Sequence, residues 1–151
     1  MQLKSLKDTQ NLSKIISDII GPGDIIFLYG EIGVGKTTFV RFFINHLENE
    51  NGIKSSDVLS PTFNIVYDYE IGTIKIIHYD LFRLKNFLDI SQLGMFETSQ
   101  DCIKIVEWPE LIEPKPKSRI DILFQYSKLM DSRKIKIVGF GKWKNYKFNE
   151  I

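Results

Sequence analysis

Cysteine occurs once in this chain and arginine four times, and no apolar run approaches the length of a membrane span. The single thiol, Cys102, excludes an internal disulfide and a cysteine zinc cage, and it fits a reducing compartment. It opens the apolar run "CIKIV", where a packed thiol is the simplest reading. The arginines stand at 41, 83, 119 and 133, and the other sixteen of the twenty basic residues are lysine, so an enzyme that needs a guanidinium clamp has few candidates. Charge of one sign is lacking too: a net +1 argues neither for nor against nucleic acid. The first ten residues, "MQLKSLKDTQ", lack the apolar core of a signal peptide. The expectation is a cytoplasmic protein without a membrane partner, its 151 residues forming one domain.

What is present alternates between helical and extended patterns. From Asp8, "DTQNLSKIISDII" puts Leu12, Ile15, Ile16 and Ile19 on one helical face, with Asp8 or Thr9 as cap. "GPGD" breaks that helix, and "IIFLY" (25–29) follows as a continuous apolar run suited to a strand buried on both faces. After a glycine loop, "KTTFVRFFINHL" repeats Phe39, Phe43 and Leu47 at helical spacing, the opening of a βαβ unit. "FNIVYDYE" and "TIKIIHYD" alternate and read as a hairpin turning at Ile71 and Gly72. "KNFLDISQLGMF" is a short helix that Gly94 ends or bends, and "CIKIV" is another buried strand. "PELIEPKPK" allows at most one helical turn, because three of its residues are proline. "RIDILFQY" and "RKIKIVGF" close the pattern as antiparallel strands around a turn at residues 130–132. The fold expected is α/β, a mixed β-sheet flanked by helices.

The loop between strand and helix, "GEIGVGKTT", carries Gly30, four residues, then Gly35, Lys36 and Thr37, which is the whole Walker A pattern. Glycines let successive N–H groups curl inward as an anion nest at a helix N-terminus. Lys36 supplies a mobile positive charge for the β- and γ-phosphates, and Thr37 a hydroxyl for Mg²⁺. Hydrolysis also needs a carboxylate near the metal, and two strand ends provide candidates, Asp80 after "TIKIIHY" and Glu107 after "CIKIV". Either also fits a helix cap or a surface acid, and composition does not rank them.

Some P-loop classes are excluded. No Asn-Lys-x-Asp reads guanine, no arginine cluster follows the core strands as in a lidded kinase, and the chain is short for an AAA-type motor. His46, on the loop helix, is expected to face solvent, and His78 to be a packed or hydrogen-bonded strand residue rather than a base. The tail "GFGKWKNYKFNEI" (141–151 being its flexible or partner-contacting part) interleaves lysines with Trp143, Tyr146 and Phe148. It either stacks on RNA or folds against the sheet.

"SPTFNIVYDYE" (60–70), "HYDLFRL" (78–84) and "VEWPEL" (106–111), in that order behind the glycine loop, resemble the bacterial TsaE (YjeE) family over nearly the whole chain. Departures are mild: Val34 stands where the family commonly has Ala, and "RFFINHL" is bulkier than usual after Arg41. The resemblance implies a small ATPase that acts with the TsaB and TsaD proteins in making threonylcarbamoyladenosine beside the anticodon of ANN-reading tRNAs. TsaD transfers the threonylcarbamoyl group, and the TsaE protein, weakly active alone, uses ATP to reset that complex between turnovers. Contact with tRNA would be indirect or transient. ATP and Mg²⁺ are the implied cofactors. Carried over, Gly30, Gly33, Val34, Gly35, Lys36, Thr37 and Thr38 wrap the phosphates. Thr37 and Glu107 hold the metal, with Asp80 beside it as a water-organising carboxylate. Thr62 would sense the γ-phosphate, or is a turn residue after Pro61. Trp108 would pack at the nucleotide edge, on a partner or in the core. Thr9 and Arg133 match positions near the nucleotide, or are a cap and a strand end. Arg83 would brace the loop around Asp80 or serve a partner surface. The competing readings are a small-molecule P-loop kinase and a nucleotide-gated interaction module.

Overall fold

The strand read from "IIFLY" lies in the interior of a sheet that has seven strands among the described residues, and the other elements arrange around it. The computed structural model of the protein describes residues 1–96, 101–128 and 131–148. In chain order the elements are β1 (Gln2–Leu3), α1 (Leu6–Ile19), β2 (Ile25–Tyr29), α2 (Lys36–Glu50), β3 (Val66–Ile71), β4 (Ile74–Asp80), α3 (Phe87–Ser91), β5 (Cys102–Glu107), β6 (Arg119–Tyr126) and β7 (Arg133–Phe140). Single 3₁₀ turns occupy Pro109–Leu111 and Gly141–Trp143.

The sheet order is β1-β7-β6-β2-β5-β4-β3. β2 runs parallel to both its neighbours, β5 and β6, and β4 continues parallel beside β5. The outer pairs, β3 with β4, β7 with β6 and β1 with β7, are antiparallel. This is the expected mixed sheet. Alternation along the strands sorts the core into two layers. Ile26, Leu28, Ile103, Ile105, Ile120 and Ile122 pack in one cluster with Leu12 and Ile16 of α1 and Phe39 and Phe43 of α2. Phe27, Ile77, Tyr79 and Val106 point to the opposite face, which Leu81, Ile90 of α3 and Ile112 cover. Helices α1 and α2 are tied across their contact by Ser13, whose Oγ donates to the Phe39 carbonyl at 3.1 Å.

Several local expectations shift. Helix α1 starts earlier than Asp8 or Thr9: Ser5 is its N-cap, and Asp8, the third helical residue, closes a capping box with it. The Asp8 carboxylate accepts from the Lys4 and Ser5 amides at 2.8 and 3.0 Å, while the Asp8 amide donates to Ser5 Oγ at 3.2 Å. Ile71 belongs to β3, so the hairpin turns at Gly72 and Thr73. Helix α3 is only five residues long. His46 does not stand free in solvent: its Nε2 lies 2.9 Å from Asp18 of α1, and its side chain is 15% exposed. The tail folds back as far as it is described. Trp143 and Phe148 are buried, and the Trp143 indole donates to Asp24 at 3.0 Å. Residues 149–151 and the first residue of the expected 130–132 turn lie outside the described residues. Among the described residues, no helix is long and apolar enough to cross a membrane.

The capping box carries a pH signature. The Lys4 amide, with the Ser5 hydroxyl, holds the Asp8 carboxyl below its ordinary value of 3.8. A depressed carboxyl stabilises the fold above its unfolded pKa and loses that contribution as pH falls through the folded one. Asp8→Asn should therefore lower the melting temperature near neutrality. The gap to wild type should shrink between about pH 5 and pH 2. A gap unchanged over that range, followed by circular dichroism, would remove the carboxylate from the cap.

Candidate functional site

At the end of β2 the chain enters the glycine loop at Gly30, with φ 137°, a conformation side chains avoid. A Cβ there would collide with the Phe124 carbonyl oxygen of β6. Gly35, at φ 117°, is the N-cap of α2 and offers no side chain to its first turn. The leading amides of α2 therefore keep their donors for an anion, at the positive end of the helix dipole. Two neighbours pin the loop from behind. Arg133 Nε donates to the Val34 carbonyl at 3.0 Å, and the Tyr126 hydroxyl donates to the Ile32 carbonyl at 3.2 Å. The Arg133 guanidinium also lies 4.5 Å over the Tyr126 ring, so β6 and β7 hold the loop as a unit.

Lys36 is buried at 4% exposure, folded over its own loop. Its ammonium donates to the Gly30 and Glu31 carbonyls at 2.6 and 3.0 Å and lies 3.9 Å from the centre of the Trp108 ring. Burial pulls its pKa below the ordinary lysine value, while the charges of Glu107, Asp80 and Glu110 act to raise it.

The two strand-end acids meet at this loop. Asp80 and Glu107 are register partners at the C-terminal ends of β4 and β5, and Glu107 in turn sits opposite Leu28 of β2. By parity both project to the α2 face of the sheet. Thr37 Oγ1 donates to Glu107 Oε2 at 3.1 Å, joining the first turn of α2 to β5. The other Glu107 oxygen lies 2.9 Å from Nε2 of His78. Asp80 is occupied on both oxygens. Oδ2 accepts from Thr62 at 2.6 Å and from Ser60 at 3.4 Å, and Oδ1 accepts from the Phe82 amide at 3.0 Å. Thr62 and Ser60 are themselves 2.7 Å apart. Helix α2 holds this segment as well, through Arg41 Nε to the Val58 carbonyl at 3.2 Å and Glu48 to the Ser56 amide at 2.8 Å.

These side chains surround an open cleft of about 290 Å³, lined by Gly33, Gly35, Lys36, Thr37, Thr38, Thr62, Asp80, Glu107 and Trp108. A second hollow of about 240 Å³ lies across the loop. Thr9, Val34 and Arg133 line it, and it shares Gly33, Gly35 and Thr38 with the first. Thr9, at the same time, donates weakly to the Ser5 carbonyl at 3.5 Å. Trp108 is held at φ 58°, a strained setting for a bulky residue, and tilts against Phe82 at 4.9 Å. Arg83 is not among the partners of Asp80; it is exposed and lies 5.4 Å from the Phe63 ring.

Sequence reasoning missed Ser60, Phe82 and Arg41 as parts of this site. His78, expected to be a packed or hydrogen-bonded strand residue, is both, but Glu107 was not foreseen as its partner. Its signal was parity: in "HYD", His78 shares a face with Asp80.

Among the described residues there is no group of three or more His, Cys, Asp and Glu side chains that could cage a metal. What the loop presents instead is a hydroxyl and a carboxylate 3.1 Å apart. Two hard oxygens beside the open amides of a helix N-terminus suit Mg²⁺, which is commonly held by one or two protein groups together with phosphates and water. The donor set fits that ion and not zinc.

A strand, glycine loop and helix beside parallel strands that end in acids define an α/β protein of the P-loop NTPase-like class. Residues 3–135 match the family described as threonylcarbamoyl adenosine biosynthesis protein TsaE, and the chain belongs to that family. The tRNA threonylcarbamoyladenosine biosynthesis protein TsaE of Rickettsia felis is 37% identical over 111 residues, 74% of this chain and 63% of that protein. The chain thus matches less than two thirds of that relative's length. The protein of the same description from Aquifex aeolicus is 36% identical over 135 residues, 89% of this chain and 90% of its own. The crystal structure of Bacillus subtilis YdiB superposes with a TM-score of 0.75 at 28% identity, covering 99% of this chain and 90% of that one. The family is one of tRNA threonylcarbamoyladenosine biosynthesis.

Gly30→Ala tests the loop's backbone. The added methyl meets the Phe124 carbonyl at a left-handed φ, so the variant should lose about 1–3 kcal/mol of unfolding free energy in urea. An unchanged midpoint would mean that the loop relaxes without cost.

Proposed function

We propose that the protein is a Mg²⁺-dependent ATPase of the threonylcarbamoyladenosine machinery, using ATP binding and hydrolysis to reset a TsaB–TsaD complex between turnovers. The observation that carries this is the Thr37–Glu107 hydrogen bond, which sets a Walker A hydroxyl against a strand-end carboxylate at the mouth of an anion nest. The loop amides of residues 33–38 and Lys36 would bind the phosphates, with Thr37 and Glu107 holding Mg²⁺. Bound there, the metal would neutralise charge on the β- and γ-phosphate oxygens. Thr62, its hydroxyl fixed by Asp80, is the candidate to meet the γ-phosphate or orient the attacking water. Water adds at the γ-phosphorus as the bond to the ADP oxygen breaks, giving ADP and inorganic phosphate. The hollow beside Thr9, Val34 and Arg133 would take the nucleoside.

Lys36 and Trp108 favour a slow enzyme when the protein is alone. Before phosphates enter, the ammonium has to leave two carbonyls and an aromatic face. Partner contact near the cleft has apolar surface to use, since Ile32, Phe63 and Phe82 are exposed on the segments around it.

Lys36→Ala should abolish tight ATP binding, and unchanged affinity by calorimetry would remove the phosphate role. Glu107→Ala should keep much of the nucleotide affinity and lose Mg²⁺-dependent turnover. A fully active variant would shift the metal role to Asp80. Phosphate release should be slow for the protein alone and rise with TsaB, TsaD and substrate tRNA. Rates indifferent to those partners, with phosphate passed to an acceptor, would favour a kinase.

A further inference from the structure

His78 is fully buried, and nothing in the phosphate chemistry above requires it. On β4 it lies opposite Ile105 while Asp80 lies opposite Glu107, so the imidazole reaches Glu107 along the sheet diagonal. Its Nε2 is 2.9 Å from Glu107 Oε1, whereas Thr37 binds Oε2. A carboxylate only accepts, so Nε2 is the donor. The other ring nitrogen, Nδ1, is buried and has no hydrogen-bond partner among the described residues. A residue present only to fill space would do so more cheaply as leucine, which leaves no polar atom unpaired. What histidine adds at this position is one directed N–H.

We propose that His78 is a positioning residue that fixes the Glu107 carboxylate, anchoring Oε1 so that Oε2 is presented toward Thr37 and the metal position. The inference rests on the Mg²⁺-dependent reading of the site. Ligating carboxylates are oriented by hydrogen bonds from behind, and loss of such a partner commonly weakens metal binding about 10- to 100-fold. The direction matters because a glutamate has three side-chain torsions, and an untethered carboxylate would spread its oxygens over several rotamers.

The test has two parts. In the metal-free protein, ¹⁵N-edited NMR should show a slowly exchanging His78 Nε2–H resonance that shifts in Glu107→Gln. Absence of that resonance in the wild type overturns the proposal. Calorimetric titration of nucleotide at stepped Mg²⁺ should then show the half-saturating Mg²⁺ concentration rising about 10- to 100-fold in His78→Leu. Affinity without metal should be little changed. His78→Gln, whose amide nitrogen is the same number of bonds from the backbone, should recover most of the loss. A folded His78→Leu with wild-type Mg²⁺ dependence, or a failure of His78→Gln to rescue, overturns the proposal. Should His78→Leu not fold, the glutamine variant and the Nε2–H resonance decide. Binding that ignores Mg²⁺ in the wild type itself overturns the ATPase reading and this proposal together, whereas equal dependence in wild type and variant overturns this proposal alone.

Discussion

The parallel registration of β2, β5 and β4 is the constraint on which the site depends. It sets Leu28, Glu107 and Asp80 side by side at one end of the sheet, where β2 gives way to the glycine loop. A slip of one residue in β5 would turn Glu107 to the face opposite α2 and put Val106 in its place. The register is protected by burial on both faces. All six residues of β5 are buried, with Ile103 and Ile105 packed toward α2 and Cys102 and Val106 packed the other way. The apolar core thus positions the acids, and the Thr37–Glu107 bond ties α2 into the same frame.

The end of the sheet gathers polar groups that an ordinary core would exclude. Lys36, His78, Asp80 and Glu107 are all buried; Lys36 is held by loop carbonyls, Asp80 by Thr62, and His78 and Glu107 by each other. The charges offset one another in part, since the carboxylates oppose the loss of protonation that burial imposes on Lys36. The arrangement stays costly where it is incomplete, at the unpartnered His78 Nδ1 and at the left-handed backbone of Trp108. Strain of this kind persists when surrounding contacts over-determine it, and here it stands beside the loop that would bind phosphate.

Much of this was legible in the residues. The continuous run "IIFLY" identified a doubly buried strand, and the glycine spacing located the loop and the start of α2, because both signals are local. The hairpin and the closing antiparallel pair followed from alternation. Other features needed the fold. Ser5 caps α1 through a box formed with Asp8, but an apolar Leu6 at the first helical position hid the start. His78 read as packed or hydrogen-bonded but without a named partner, because that partner lies 29 residues away on a neighbouring strand. Arg83 read as a brace for Asp80 or as part of a partner surface because arginine is scarce; the first role is closed, since Thr62, Ser60 and the Phe82 amide already occupy that carboxylate. Their hydrogen bonds come from a segment of the chain that no periodicity orders.

The loop's resting contacts bear on how such a site would be governed. Lys36 satisfies itself on the Gly30 and Glu31 carbonyls beneath the Trp108 ring, and that ring is set by the backbone of the residue after Glu107. The ring rests in turn on Phe82, two residues beyond Asp80. The lysine, both acids and the exposed Phe82 therefore form one contiguous packed chain from the glycine loop to the surface. A partner that moved Phe82 would alter the aromatic face over Lys36 without touching the nucleotide. Because Asp80 Oδ1 holds the Phe82 amide while Oδ2 holds Thr62, the same movement would reach the residue proposed to meet the γ-phosphate. On the proposed reading, partner stimulation needs no new catalytic group: it needs only a shift in contacts that this chain already makes.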